Sequence, residues 1–306
     1  MSSNIPPCNR LEDLEGQVRS CYATWAKTYF DQYYRSADVY PPVHQPIVRD
    51  LLVAAKARRV IDAGCGPASM LRTLADLDMD LYGFDLTSEM VAEGRRIMVE
   101  LGRPAEHIWE GSVLDRSAYQ SAGALPYDAA LCIGVLPHVR PNDDVVVLAR
   151  VCEAVRPGGL VIVEARNQLF SLFTLNRYSR DFFVSELIRP QTLMGADPTA
   201  LRAALEELDQ RFRTDLPPVR RGREGEPGYD EVLSRTHNPL VLREQMGAVG
   251  FRNVRLLFYH YHALPPMLER HLPDVFRKQS LALEDPQNWR GYFMASAFIL
   301  VGERTV

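Results

Sequence analysis

"RVIDAGCGPASM", Arg59–Met70, is an apolar run that breaks at a glycine-cysteine-glycine turn and then turns helical. A strand ending this way brings backbone amides and a helix start close to a ligand, because glycine removes the side chain that would hold the ligand away. The turn at Gly64–Gly66 predicts a nucleotide-like cofactor, although many sheet proteins use such a turn only to reverse direction. Its companions decide between the two.

Asp85 closes a second apolar strand, "YGFDLT", 21 residues beyond Gly64. A carboxylate there can accept both hydroxyls of a ribose. Its competing role, capping the next helix, is already open to Thr87 or Ser88. "EGSVLD" (110–115) and "ALCIGVLPHV" (130–139) put two more loops at the same edge. In open parallel sheets ligands sit at the carboxyl ends of the strands.

Outward from this centre, the strands "RRVIDAG", "DLYGFDL", "HIWEGSVLD", "YDAALCIGVL" and "LVIVEAR" alternate with helical stretches at 68–76, 88–101 and 142–156, the last closed by "RPGG". That alternation predicts crossover units and a mainly parallel sheet. Upstream, Val18, Tyr22, Trp25, Tyr29 and Tyr33 recur at spacings of three and four, one face of a helix over 17–36, and a second helix follows at 45–56. Downstream, residues 167–238 read as an insertion, with helical stretches at 169–188 and 198–213 and a Pro/Gly/charge-rich loop, "PPVRRGREGEPGYDE". A helix ending before Gly250, the strand "VRLLFYHYH", a helical 266–288 and the strand "YFMASAFILVGER" complete seven strands. The expected fold is α/β: a Rossmann-like, doubly wound, seven-stranded, mainly parallel sheet. Residues 1–57 form an N-terminal helical cap, 58–166 the cofactor-binding core, 167–238 a helical substrate lid and 239–306 the completion of the sheet.

The chain's 306 residues, 46% hydrophobic and 24% charged, supply a sizeable core, and a net charge of -4 offers no field to gather nucleic acid or an anionic membrane. Five scattered cysteines form neither a zinc spacing nor a disulfide framework. The N-terminus has no apolar signal core, and no stretch approaches the ~20 apolar residues of a membrane helix. The expectation is a soluble, cytoplasmic protein of open oligomeric state, with no internal repeat.

Together the motifs resemble the class I S-adenosylmethionine-dependent methyltransferases, in order, across roughly 20–165 and again at 236–304. "VIDAGCGPAS", "YGFDLT", "EGSVLD", "YDAALCIGVLPHV" and "LARVCEAVRPGGLVIVE" look like that family's five motifs. The resemblance implies S-adenosyl-L-methionine as cofactor and an antiparallel last strand. The aromatic N-terminal helix, Tyr22, Trp25 and Tyr29 among its residues, would close over the cofactor. It further implies that Ala63, Gly64 and Gly66 approach the methionine part with Asp62 holding the turn. Asp85 would take the ribose, and Leu86, Val113 and Ile133 would flank the adenine. Ser112 stands where relatives commonly carry aspartate; a hydroxyl still accepts from the adenine amino group, more weakly.

The rival nicotinamide dinucleotide would require a third glycine where Ser69 stands, and no Tyr-x-x-x-Lys pair is present for alcohol chemistry. An oxidoreductase is therefore the remote alternative.

Methyl transfer is an in-line displacement helped by a base when the acceptor carries a proton. His138, in the loop after the fourth strand, is the candidate base; packing or capping the next helix is its other possible role. Glu164, Arg166 and Asn167 end the fifth strand, and Arg166, Tyr178, His237 and His260 are candidate substrate contacts. Strand alternation over 259–262 puts Tyr259 and Tyr261 on one side and His260 and His262 on the other. Phe170, Phe173, Tyr178, Phe182 and Phe183 would form an apolar lid or bury the insertion's own helix. Arg177, Arg180, Arg220, Arg221 and Arg223 could meet an anionic acceptor, although Glu224 and Glu226 lie beside the loop arginines. No carboxylate cluster marks a metal site, and no Asn-Pro-Pro-Tyr follows the fourth strand, which disfavours DNA and protein glutamine substrates. The expected activity is metal-independent transfer of a methyl group to oxygen or nitrogen, with carbon not excluded, of a small organic molecule. The alternative from another class is an inactive cofactor-binding scaffold or partner subunit.

Overall fold

The computed structural model describes residues 13–35, 41–120, 126–188, 197–212, 232–271 and 273–305. Seven strands, β1 (Arg59–Ala63), β2 (Asp80–Asp85), β3 (Ile108–Glu110), β4 (Tyr127–Cys132), β5 (Val155–Arg166), β6 (Phe251–Tyr261) and β7 (Ala295–Arg304), form one sheet in the order β3-β2-β1-β4-β5-β7-β6. The first five pair in parallel, and β7 runs antiparallel to both its neighbours. The expected sheet is therefore present, with its reversal of strand order between β1 and β4.

The helices are α1 (Leu14–Ala23), α2 (Tyr29–Tyr33), α3 (His44–Ala54), α4 (Ser69–Thr73), α5 (Ser88–Glu100), α6 (Asp144–Ala154), α7 (Ser171–Thr174), α8 (Arg177–Phe182), α9 (Pro198–Arg211), α10 (Pro239–Ala248), α11 (Pro273–Ala282) and α12 (Gly291–Met294). Successive strand residues face opposite layers. Ile61, Ala130, Cys132, Val161 and Val163 pack with Val147, Leu148 and Val151 of α6 and with Leu242 and Met246 of α10. Val60, Ala129, Leu131 and Ile162 pack with Val48 and Leu52 of α3, Leu71 and its α4 neighbours, and Val91 and Met98 of α5. Each fully buried side chain of this size contributes about 1.5–3 kcal/mol. The same alternation fixes the site: Asp62 follows Val60 in phase, Glu164 follows Ile162 and Tyr259 follows Leu257. All three therefore project on the α3–α5 side at the carboxyl edge.

The local departures have identifiable causes. The helix expected over 17–36 breaks between α1 and α2, where Thr24 Oγ1 donates to the Cys21 carbonyl at 2.9 Å and Thr28 Oγ1 to that of Trp25 at 3.4 Å. Such back-bonding competes with helix continuation. The stretch 68–76 shortens to α4, and "RPGG" belongs to the start of β5 rather than to the end of α6, with Gly158 left-handed at φ 72°. Leu175, at φ 52°, separates α7 from α8. Residues 266–288 hold a short 3-10 turn and α11, and Tyr292–Met294 lie in α12 rather than in the last strand. His260 adopts φ 65° inside β6, so the alternation reverses there: Tyr259 joins the α3–α5 layer and Tyr261 the α6–α10 layer. The two tyrosines expected on one side are on opposite sides.

Candidate active site

A cavity of about 670 Å³ opens at the carboxyl ends of β1, β2 and β4, beneath α1 and α2. Its floor is the quoted turn. Gly64 sits at φ 79°, and a Cβ there would lie 2.4 Å from Val135 Cγ2; Gly66, at φ 54°, has nothing within 4 Å of a Cβ position. A side chain at 64 would strike the protein, whereas one at 66 would enter open space beside the cavity that both line. The amides of the turn do not face the cavity unpaired, as the sequence suggested. Gly64 and Cys65 donate to the Phe84 carbonyl at 2.8 and 2.9 Å, and Gly66 donates to Asp85 Oδ2 at 2.8 Å. The turn is thereby stitched to β2. With only five residues in α4, the helix field is small as well.

Two carboxyl groups meet here, Asp62 buried and Asp85 half-buried. Asp85 is fixed by Gly66 and by the Thr87 amide at 2.9 Å, and burial raises its pKa against those bonds. Asp62 is pushed up to about 7, by burial first and then by Asp85. Among the described residues its Oδ1 has no hydrogen-bond partner, and neither does the buried hydroxyl of Ser69. A buried carboxyl with an unmet oxygen, lining a cavity, is a receptor for a cation or a donor. Farther along, Leu86, Met90, Val113 and Ile133 make an apolar slot, and Ser112 lies at its rim. Ser112 Oγ donates to Glu15 Oε1 at 2.6 Å and accepts from the Leu114 amide at 3.2 Å.

At the other end, His138 joins the same cavity with Tyr22, Tyr29 and Tyr34. Its Nδ1 lies 2.7 Å from the Leu233 carbonyl and its Nε2 2.8 Å from Tyr22 Oη. A carbonyl only accepts, so Nδ1 carries the proton and Nε2 accepts from the Tyr22 hydroxyl. Burial lowers the His138 pKa to about 4, with the charge of Arg166 adding to it and the Leu233 bond opposing. The ring is a neutral imidazole with a fixed tautomer. Burial raises Tyr22 well above its ordinary value.

Beyond this, buried Glu164 accepts from the Gly134 amide at 2.6 Å and from the Tyr259 hydroxyl at 3.0 Å. Burial raises its pKa while Arg166 and these bonds lower it. The His44 ring packs against Tyr34 at 5.3 Å and Tyr259 at 5.6 Å, and burial lowers its pKa to about 4. Arg166 donates to Ser234 Oγ, and its charge acts on Tyr22, Tyr29 and His138 although it does not line the cavity.

Of the sequence candidates, Tyr29, Asp62, Gly64, Gly66, Asp85, Leu86, Ser112, Val113, Ile133 and His138 line this one cavity. Others do not. The Ala63 side chain is in the core beneath. His237 is buried against Asp144, whose Oδ2 lies 3.4 Å from its Nε2, and Arg235. Tyr178 is 45% exposed on α8. His260 lies outside the lining, its ring 5.6 Å from that of His262 and its pKa lowered to about 4 by burial. The insertion's aromatics do not roof the cavity either: Phe170 packs on Phe173 and His262, and Phe182 is buried. Arg177 pairs with Asp181, and Arg180 with Asp181 and Asp209; Arg220, Arg221, Arg223, Glu224 and Glu226 lie outside the described residues. Glu15 and Tyr34 are among the lining residues that the sequence did not mark. Tyr34 follows from the break after α1, which shifts the aromatic stripe by one position, whereas Glu15 carries no short-range signal. Among the described residues no three His, Cys, Asp or Glu side chains are grouped to hold a metal ion, and no helix is long and apolar enough to cross a membrane.

Glycines shaped for close approach, paired acids and an apolar slot at a strand-order reversal define a nucleoside-binding site on a Rossmann-like sheet. Comparison with known proteins makes this specific. A family model described as a methyltransferase domain matches residues 61–161. The chain is 28% identical over 178 residues to a ubiquinone biosynthesis O-methyltransferase of Bordetella avium, covering 53% of this chain and 71% of that protein. With the protein of the same name from Cronobacter sakazakii it is 27% identical over 214 residues, covering 66% and 85%. In fold it is similar to the crystal structure of a magnesium protoporphyrin IX methyltransferase from Synechocystis with bound SAH, with a TM-score of 0.52 and 18% identity over 96% of this chain and all of that one. Residues 61–161 are thus a methyltransferase domain on a fold of the class I S-adenosylmethionine-dependent kind: the chain is an enzyme, and S-adenosyl-L-methionine is its cofactor.

Proposed function

We propose that the enzyme methylates a hydroxyl oxygen of a small, uncharged organic acceptor such as a phenol or quinol, with His138 taking the acceptor's proton through Tyr22. The observation that carries this reading is the fixed chain Tyr22–His138–Leu233, whose bare nitrogen ends in a phenol at the cavity wall. The relatives named O-methyltransferases support oxygen as the acceptor atom.

The residues present fit the cofactor. The unmet Asp62 oxygen and Ser69 hydroxyl would receive its ammonium group, Asp85 its ribose, and the slot of Leu86, Val113 and Ile133 its purine, while the absence of a side chain at Gly66 leaves room for it. When bound, it supplies an electrophilic methyl group, whose bond to sulfur breaks as the bond to the acceptor oxygen forms. The chain's own part is positioning and proton transfer. The acceptor's hydroxyl proton passes to the Tyr22 oxygen as Tyr22 gives its own to His138 Nε2, while the acceptor's lone pair makes the new C–O bond. The Arg166 charge nearby favours an acceptor oxygen that becomes negative as its proton leaves. A neutral His138 in the cavity lining suits an uncharged acceptor better than an anion. We further propose that residues 58–166 with 239–306 form the catalytic core, capped by 1–57, that 167–238 act as an accessory substrate element, and that the reaction runs in a reducing, cytoplasmic setting. Cys21, Cys65, Cys132 and Cys152 are buried and outside any disulfide among the described residues, which suits that setting.

The test is a labelled-methyl assay over a panel of catechols, hydroquinones, amines and carboxylates. Turnover confined to hydroxyl acceptors, lost in both His138→Ala and Tyr22→Phe with cofactor-product affinity unchanged, supports the reading. Turnover of an amine in preference to every phenol overturns it.

A further inference from the structure

We propose that Glu15, on α1, reads the 6-amino group of the purine, making the N-terminal helix part of the cofactor site as well as its roof. The inference rests on the purine occupying the slot of Leu86, Val113 and Ile133. That slot is apolar on its faces, and a purine amino group at its rim needs an acceptor there. Ser112 alone supplies little: its one hydrogen is engaged with Glu15 Oε1 at 2.6 Å, and one of its two lone pairs receives the Leu114 amide at 3.2 Å. A carboxylate offers about four acceptor positions, and the bond from Ser112 takes one of them.

The helix presents this carboxylate by design of its own start. Asp13 caps α1 by accepting from the Gly16 amide at 2.9 Å, which puts Glu15 in the first turn. Glu15, Val18 and Tyr22, at i, i+3 and i+7, all line the cavity. Arg19, between them, bonds Glu110 at the end of β3 at 2.8 Å. One face of one helix thus spans the cavity from the purine rim to His138, about 10 Å over seven residues. Reading the purine at one end seats Tyr22 on His138 at the other.

Binding of S-adenosylhomocysteine and of its 6-oxo counterpart, S-inosylhomocysteine, to the full chain tests this by calorimetry. A carboxylate accepts from an amino group and repels an oxo group, so the wild type is expected to prefer the amino compound at least about tenfold, the scale of one charge-assisted hydrogen bond at a partly open rim. Glu15→Gln keeps the helix and the side-chain length but can accept or donate, so the ratio should fall toward one, chiefly through tighter binding of the oxo compound. Glu15→Ala should weaken the amino compound about tenfold, and adding Ser112→Asp to it should restore the preference. Equal affinities in the wild type, or a preference unchanged in both Glu15 variants, overturn the inference while leaving cofactor binding itself intact. Should Asp85→Ala fail to weaken both compounds alike, the placement of the nucleoside falls and the assignment of Glu15 falls with it.

Discussion

The two ends of the cavity obey the same physics with opposite sign. At the glycine turn, burial raises the pKa of carboxyl groups, taking Asp62 to about 7; at the opposite end, burial lowers that of an imidazole, taking His138 to about 4. Both ends thereby shed charge, because a low-dielectric interior disfavours the ionised form of either group. The cofactor end differs in keeping an unmet oxygen on Asp62, while His138 is engaged at both ring nitrogens. One end keeps an acceptor unmet; at the other a tyrosine hydroxyl is held on an imidazole nitrogen, the arrangement proposed to move a proton.

The largest effects should come from breaking that arrangement. His138→Ala and Tyr22→Phe should each lower kcat by about 10²-fold or more, the usual weight of a general base, with the dissociation constant of cofactor product within about twofold of wild type. At saturating cofactor, kcat in the wild type should stay high down to the His138 pKa of about 4 and fall below it, rather than near 6.5. An acid limb near 6.5 would remove His138 from the role.

At the cofactor end, two alanines separate fold from ligand. Gly64→Ala meets both a left-handed φ and the Val135 methyl, and should destabilise the protein by about 3 kcal/mol in denaturant unfolding. Gly66→Ala meets only the φ, about 1 kcal/mol, yet should cost tenfold or more in cofactor affinity because its methyl enters the cavity. Equal losses of stability in the two would contradict the geometry.

Asp62 gives a smaller, signed effect. Near pH 7 about half of it is protonated, and an ammonium partner would draw its pKa down, so binding of cofactor product should release about half a proton. Affinity should rise with pH through about 7 and then level. Calorimetry in buffers of different ionisation enthalpy measures the release, and Asp62→Asn should abolish it.

The most gradual effect is a pH slope in stability. His44 has a folded pKa of about 4 and an unfolded value near 6.5, so the unfolded chain binds the extra proton between them. Its contribution is complete above 6.5 and is lost as pH falls toward 4, at up to about 1.4 kcal/mol per pH unit. Asp62 runs the other way: its raised pKa stabilises most below its unfolded value and loses effect as pH rises through about 7. His44→Phe should flatten the acid slope in urea titrations between pH 4 and 6.5.

The same two ends differ in how far the sequence exposes them. The glycine turn, Asp85 and the strands beneath them are local: a short apolar run, a residue without a side chain and an acid one strand later lie within thirty residues. The proposed proton path is not local, since Tyr22 and His138 are 116 residues apart and Leu233 a further 95. His138 was visible only by its place after β4, and its partners only once the chain had folded. Glu15 pairs with Ser112 across 97 residues and belongs with these. Two threonines hid the break in the aromatic helix, and one left-handed residue, His260, reversed an alternation that period alone could not detect. His237 was a candidate substrate contact from its place just before α10, and it instead packs against Asp144 and Arg235.

The pairing of Asn167 with His237 has an engineering meaning. The two ends of a seventy-residue excursion touch, with the His237 amide on the Arg166 carbonyl at 2.7 Å and the Gln168 amide on the His237 carbonyl at 2.9 Å. Because closure entropy grows only slowly with loop length, what hangs beyond such a clasp can be lengthened, trimmed or replaced at little expense to the sheet. A graft that begins after Gln168 and rejoins before Val232 would keep both the clasp and the Leu233 carbonyl in place.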